Sequence, residues 1–152
     1  MSIKDRLYND MKEAMKAREA GKLRLAVIRM ARAAIKNREI EVGHELSDDE
    51  VIGVLAKEVK IRRDAIPDYQ NAGRLEKVAE LEDEIKILEE YLPQQMSKDE
   101  IIQLAREVIA SVGASSERDL GKVMGALMPK VKGRADGRMV NQIVRELLSS
   151  GQ

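Results

Sequence analysis

The sequence has no cysteine, no tryptophan and no phenylalanine. Lack of cysteine excludes disulfide staples, thiolate nucleophiles and cysteine-ligated zinc, and it suits a reducing cytosol. Tyr8, Tyr69 and Tyr91 are the whole aromatic complement, so a core must be built from leucine, isoleucine, valine, methionine and alanine. Those residues favour helices or pack well in them, and the aromatic and β-branched runs typical of strands are scarce. An all-α fold is therefore expected. No stretch approaches the roughly 18 consecutive apolar residues that a membrane span requires. The first residues, Met1-Ser2-Ile3-Lys4-Asp5-Arg6, are charged where a secretory signal carries its apolar segment. A soluble, cytoplasmic protein without membrane association is the expectation.

Catalytic groups are equally scarce. The one histidine, His44, lies beside Glu41, Glu45, Asp48 and Asp49 and reads as a solvated loop residue, since metal sites need ligands converging at fixed spacing. There is no Gly-rich phosphate loop. The acidic run Glu80, Glu82, Asp83, Glu84, Glu89 and Glu90 lies on a helical pattern and reads as a solvated face. The eight methionines read as core filling, and Gly121 and Gly125, inside another helical pattern, as permitting close helix packing. No catalytic residue, metal site or cofactor is expected.

What the chain does have is charge. Charged residues make up 36% of its 152 positions, yet the net charge is zero. Residues 1–40 hold 11 basic and 5 acidic side chains, residues 41–93 hold 7 and 15, and residues 94–152 hold 9 and 7. Between 120 and 145 there are 6 basic residues against one acidic. A neutral chain can thus present basic faces, although the overall pI of 6.6 is low for a dedicated nucleic-acid binder.

Helical periodicity organises most of the chain. Three serines with an acidic residue three positions on, Ser2/Asp5, Ser47/Glu50 and Ser97/Glu100, predict capping boxes that open helices. The first helix carries Ile3, Leu7, Met11, Ala14 and Met15 on one face and is broken near Gly21. The second, from about 22 to 41, places Leu23, Val27, Met30, Ala31, Ala34 and Ile35 on one side. Lys22, Arg29, Arg32 and Lys36 fall on the other, with Leu25 intruding. A third helix holds Val51, Leu55 and Val59, and Pro67 is expected to kink or end it. Val78, Leu81, Ile85, Leu88 and Leu92 form a heptad-like seam on the fourth, and Leu92-Pro93-Gln94-Gln95 reads as a linker. Beyond it, Ile101, Ala105, Val108, Ile109 and Val112 mark one helix. Leu120, Val123, Met124 and Leu127 mark a shorter one stopped near Pro129. Met139, Val140, Ile143, Val144, Leu147 and Leu148 mark a last one capped by Asp136. The reading is a four-helix N-terminal domain, residues 1–93, followed by a small three-helix C-terminal bundle, residues 94–152.

The basic residues carry the functional signal. Arg29, Arg32 and Lys36 lie on adjacent turns of one helix face. Lys130, Lys132 and Arg134 occupy a loop leading into a helix N-terminus, with Arg138 in its first turn. Free N–H groups and the helix dipole would add to their charge, which suits phosphate, and Gly133 and Gly137 would let a sugar-phosphate backbone approach. The alternative is a solvated loop that balances the acidic half. Stacking platforms for single strands are missing, so a structured RNA read by shape fits better. A helix-turn-helix over 116–148 is disfavoured by its long loop and by apolar residues on its recognition face.

Three stretches resemble a known family. They are Leu25-Ala26-Val27-Ile28-Arg29-Met30-Ala31-Arg32-Ala33-Ala34-Ile35-Lys36-Asn37-Arg38-Glu39-Ile40, then Ile87-Leu88-Glu89-Glu90-Tyr91-Leu92-Pro93, and Leu120-Gly121-Lys122-Val123-Met124-Gly125-Ala126-Leu127-Met128 running on into Gly133-Arg134-Ala135-Asp136-Gly137. In these the chain resembles the GatB/YqeY family, in its stand-alone YqeY-like form. That family is related to the C-terminal tail of the B subunit of the tRNA-dependent amidotransferase, and similar domains are appended to some glutaminyl-tRNA synthetases. The resemblance implies a tRNA-linked accessory or binding role, with Lys122, Lys130, Lys132, Gly133, Arg134 and Arg138 as backbone contacts. It also implies tRNA and a tRNA-modifying or aminoacylating enzyme as partners. Nothing in the chain matches the amidotransferase catalytic domain, so carbon–nitrogen ligase activity with glutamine as amido-N-donor is expected only as a non-catalytic subunit. A protein-docking adaptor is the other alternative. Oligomeric state is not legible.

Overall fold

The computed structural model describes residues 1–150, in two compact units, Met1–Pro93 and Gln94–Gln152. In the first unit α1 (Ile3–Lys16) leads through a 3-10 turn (Arg18–Gly21) into α2 (Lys22–Val42), followed by α3 (Asp48–Asn71) and α4 (Leu75–Glu89). The second holds α5 (Lys98–Val112), a 3-10 turn (Glu117–Asp119), α6 (Leu120–Val131) and α7 (Gly137–Ser149). All described regular structure is helical. Among the described residues, no helix is long and apolar enough to cross a membrane.

The helix starts follow the local chemistry. Ser2, Ser47 and Ser97 each accept a hydrogen bond from the backbone N–H three residues on, and Asp5, Glu50 and Glu100 each reach back to the cap N–H. These bonds satisfy donors that have no partner inside the helix. Gly43 (φ +80°) and Gly113 (φ +70°) close α2 and α5 in the left-handed conformation that glycine adopts without a Cβ penalty. Pro67 does not end its helix, whereas the helix of Pro129 does stop close to it. α3 runs through Pro67 for four further residues, and α6 ends at Val131, two residues after Pro129. One lost backbone bond is tolerated when packing, here of Val59 and Val131, holds the helix.

Tight apposition accounts for Gly21. A Cβ there would lie 2.3 Å from the Ala14 carbonyl oxygen, a backbone atom that cannot swing away. Gly21→Ala is expected to cost about 1–3 kcal/mol by overpacking, read as a lower urea midpoint at unchanged slope.

The first core gathers Leu7, Val27, Ile28, Ala31, Ile35, Val51, Leu55, Val59, Ile85 and Leu88. It departs from the expected faces in a consistent way. Met15, Leu23 and Met30 are 49%, 38% and 50% exposed, whereas Ile28 is wholly buried. At about 100° per residue, the buried arc of α2 is turned by roughly 50° from the apolar arc towards Ile28. Helix α2 packs against α1, α3 and α4. Which edge of an apolar stripe they cover is a property of the assembled bundle.

The acidic run on α4 is not a purely solvated face. Arg62, only 5% exposed, joins α3 to α4. Its Nε donates to Glu84 at 2.9 Å, and its Nη1 donates to the Glu58 carbonyl and carboxylate at 2.9 and 3.2 Å. Beside it Arg63 donates to Glu89 at 2.7 Å. At the end of α4 the buried Tyr91 hydroxyl donates to the Asp10 carboxylate, and the Arg6 guanidinium lies 5.0 Å above its ring. Burial first, and Asp10 second, push the Tyr91 hydroxyl well above the ordinary phenol range.

The second core is Ile101, Ala105, Val108, Ile109, Val123, Leu127, Val131, Val140, Ile143, Val144, Leu147 and Leu148. Met139, expected on the apolar face of the last helix, is 44% exposed instead.

Candidate nucleic-acid interface

Six of the expected contact residues lie in the C-terminal unit. Lys122 sits in the first turn of α6 and Lys130 in its last. Val131 is wholly buried, and the chain leaves the helix at Lys132 (φ −54°, ψ 123°). An apolar anchor between two lysines turns both outwards. Lys122, Lys130 and Lys132 are all exposed, and none forms an ion pair among the described residues.

The rest of the loop is held by the chain itself. Gly133 (φ +73°) takes the left-handed turn, so its first role is conformational. Its carbonyl accepts from Gln95 Nε2 at 2.7 Å. The Met96 N–H donates to the Arg134 carbonyl at 2.8 Å, and the half-buried Arg134 donates through Nε to the Gln94 carbonyl at 2.9 Å. Gln94 and Gln95, read from sequence as linker, therefore form a strap that fastens the loop. Arg134 spends part of its fork on that strap, while Glu100, whose carboxyl the Ser97 N–H mainly holds below its ordinary value, also feels its charge.

Helix α7 arrives with an anion of its own. The Asp136 carboxylate accepts the Arg138 N–H at 3.2 Å, taking one donor that a phosphate would otherwise use. Arg138 itself is exposed. A Cβ on Gly137 would meet the Met128 Cε at 3.6 Å, an ordinary contact, so space does not demand glycine there.

Gly121 and Gly125 correct the sequence reading. Both are exposed, and a Cβ on either would meet nothing within 4 Å. They do not serve helix packing. They leave bare backbone on the outer face of α6, with Lys122 next to the first of them.

The other three expected residues, Arg29, Arg32 and Lys36, are exposed on α2 in the N-terminal unit. With Tyr8 and Met11 of α1 they line a groove of about 690 Å³. The Arg32 Nη1 lies 3.2 Å from the Met11 sulfur, and its guanidinium lies 5.3 Å from the centre of the Tyr8 ring. Lys12 Nζ approaches the same ring to 4.7 Å. Sequence reading passed over Tyr8 and Lys12, although their four-residue spacing on α1 puts them on one face. His44 remains a loop residue, 56% exposed in its side chain, with Nδ1 2.8 Å from the Glu45 carbonyl oxygen. Among the described residues no three acidic or histidine side chains are grouped to hold a metal ion.

Known proteins are similar to this chain over the whole or part of its length. "Altered inheritance of mitochondria protein 41, mitochondrial" of Pyrenophora tritici-repentis is 26% identical over 148 residues, covering 95% of this chain and 80% of that protein. The protein of the same name from Vanderwaltozyma polyspora is 32% identical over 87 residues, 57% of this chain and 46% of the relative. A shorter likeness, 48% identical over 56 residues, is to the E-type subunit of the glutamyl-tRNA(Gln) amidotransferase of Aeropyrum pernix. It covers 34% of this chain and only 8% of that protein. The family model described as "Yqey-like protein" matches residues 4–148, from the second residue of α1 to the last turn of α7, and on that match the chain belongs to the YqeY-like family.

Proposed function

We propose that this chain is a tRNA-linked binding module whose C-terminal unit holds the phosphate backbone through Lys122, Lys130 and Lys132. The observation that carries the reading is a contrast between α6 and the loop that follows it. Gly133 and Arg134 are committed to the strap, while the three lysines stand exposed and form no ion pair among the described residues, Lys122 feeling Asp119 only at longer range. Unpaired cations on a rigid support neutralise phosphates at little ordering cost. The 56-residue likeness to part of a glutamyl-tRNA(Gln) amidotransferase supports tRNA as the polyanion. Arg138 adds charge at the edge of α7, and Arg134 contributes what remains of its fork. We take residues 1–93 and 94–152 as the two domains of this module and the cytosol as its setting, although both relatives that share a name are described as mitochondrial. We assign the chain no catalysis of its own. In glutamine-dependent amide transfer it would serve as an added, non-catalytic subunit beside a tRNA-modifying or aminoacylating enzyme.

The test is a titration of bulk tRNA in gel-shift or filter binding across salt. Micromolar or tighter binding that weakens steeply with ionic strength is expected, and salt-insensitive or absent binding overturns the reading. Gly125→Ala refines it. The substitution should raise stability by about 0.5–1 kcal/mol, since an exposed interior helix position favours alanine. If the RNA approaches the bare face of α6, the same substitution weakens tRNA binding. A variant that melts later and binds less well separates this use of glycine from a structural one.

One observation favours docking on a partner enzyme as a second reading. Leu23, Met30 and Ile61 are 38%, 50% and 51% exposed and line a groove of about 470 Å³ in the N-terminal unit. A pull-down that survives nuclease treatment and is lost in Met30→Glu supports it.

A further inference from the structure

The basic residues of α2 divide sharply once the ion pairs are assigned. Arg24, near the start of the helix, is held by both carboxylate oxygens of Glu90 at 2.9 and 3.2 Å, and Arg38, near its end, pairs with Glu41 at 2.9 Å. Between them in sequence Arg29, Arg32 and Lys36 form no ion pair among the described residues, and all three line the α1–α2 groove. From first to last they reach about 10 Å along the helix axis. Arg32 is positioned without being neutralised. A sulfur and an aromatic face orient its guanidinium but leave its positive charge in place, whereas a carboxylate would cancel it. Lys12, on the same ring, extends the positive rim onto α1.

Acidic residues line the groove too, but they gather round Lys4. Glu39 accepts from Lys4 at 2.6 Å and from the Leu46 N–H at 2.9 Å. Glu45 and Asp5 add to the field that holds Lys4 charged, behind the Glu39 hydrogen bond as the largest cause. Asp5 also closes the α1 capping box. Glu39 also feels the charge of Lys36, one turn before it, so the charge of Lys36 is partly offset, while Arg29 and Arg32 keep theirs in an open, concave seat. That is the complement of a linear polyanion.

We infer that the α1–α2 groove is a second nucleic-acid site, in which Arg29, Arg32 and Lys36 hold consecutive phosphates of a backbone segment beside Tyr8. The site rests on the tRNA reading above, but none of its residues belongs to the C-terminal loop. Three charge contacts add affinity without sequence preference and steepen the salt dependence.

The experiment uses the full chain and bulk tRNA, comparing wild type, Arg29→Glu/Arg32→Glu, and Lys122→Glu/Lys130→Glu at several salt concentrations. The α2 variant should bind about tenfold more weakly at low salt, with the log–log slope reduced by roughly 2, as expected when two phosphate contacts are lost. Its helix content should match wild type. A positional readout comes from Tyr8→Trp, which places a single tryptophan at the groove of a chain that otherwise has none. Its fluorescence should change saturably with tRNA at the same midpoint as the gel shift. If wild type and the α2 variant bind alike and the indole signal stays silent while the C-terminal variant weakens, the groove proposal fails and the tRNA reading stands. If wild type binds no tRNA, both fall. Loss of helix content in the charge-reversed variant would pass the decision to the Tyr8→Trp protein, whose silence overturns the proposal.

Discussion

Replacing Lys122, Lys130 and Lys132 together by glutamate is expected to remove most of the affinity for tRNA at about 0.1 M salt, with the helical spectrum unchanged. Each lysine that holds one phosphate releases roughly 0.9 counterion, so losing three should lower the salt slope by about 2.7. Reversal of charge adds repulsion, and the loss of affinity should exceed roughly tenfold. The variant should fold because all three side chains are exposed and none forms an ion pair among the described residues. Surface substitutions of that kind usually move stability by less than about 0.5 kcal/mol. Arg134→Ala would be a less decisive test. Its guanidinium also ties the loop to Gln94, so weaker binding could reflect a loosened strap as well as a lost phosphate contact. Unchanged slope in the triple lysine variant would remove the C-terminal loop from the interface.

The largest effect on stability should come from Arg62→Ala. Arg62 is the one charged side chain among the buried residues described, and it serves Glu58 on its own helix and Glu84 on α4. Those two carboxylates are themselves only 20% and 13% exposed. Removing the arginine leaves both without their cation and opens a void between α3 and α4. Breaking such a buried pair costs about 3–5 kcal/mol, a large share of the stability of a small domain. Equilibrium urea unfolding should report it as a fall in midpoint. Arg62→Leu combined with Glu58→Leu and Glu84→Leu should recover most of the loss, because well-packed apolar replacements of buried ion pairs and triads are often neutral. A single variant close to wild type would mean that water already reaches the pair. Substituting the exposed Lys16 and Glu13 pair in the same way should change little, since exposed pairs of this kind contribute at most about 1 kcal/mol.

Much of the secondary structure was legible because its determinants are local. Ser2, Ser47 and Ser97 mark helix starts from within four residues, and the heptad seam of α4 buries Val78, Leu81, Ile85 and Leu88 as its spacing implies. The errors fall where a neighbour decides. Pro67 alone would favour a helix end, and the packing around α3 offsets its cost. Ile28 is buried and Met30 exposed because three helices cover α2 off-centre. Gly121 and Gly125 resembled packing glycines by spacing alone, yet no helix lies against them.

The candidate site divides along the same line. Length, composition and periodicity by themselves determined an all-helical chain, the ends of most of its helices and the stretches where basic residues concentrate. All of that is written in residues within a few turns of one another. Which cations stay available was decided only by the tertiary structure. Arg24 finds Glu90, 66 residues away, and Arg62 and Arg63 find Glu84 and Glu89 on another helix, while Arg29, Arg32, Lys36 and the three C-terminal lysines form no ion pair among the described residues. Ion pairing depends on the distance between side chains brought together by packing, and a linear pattern of charges does not contain that distance.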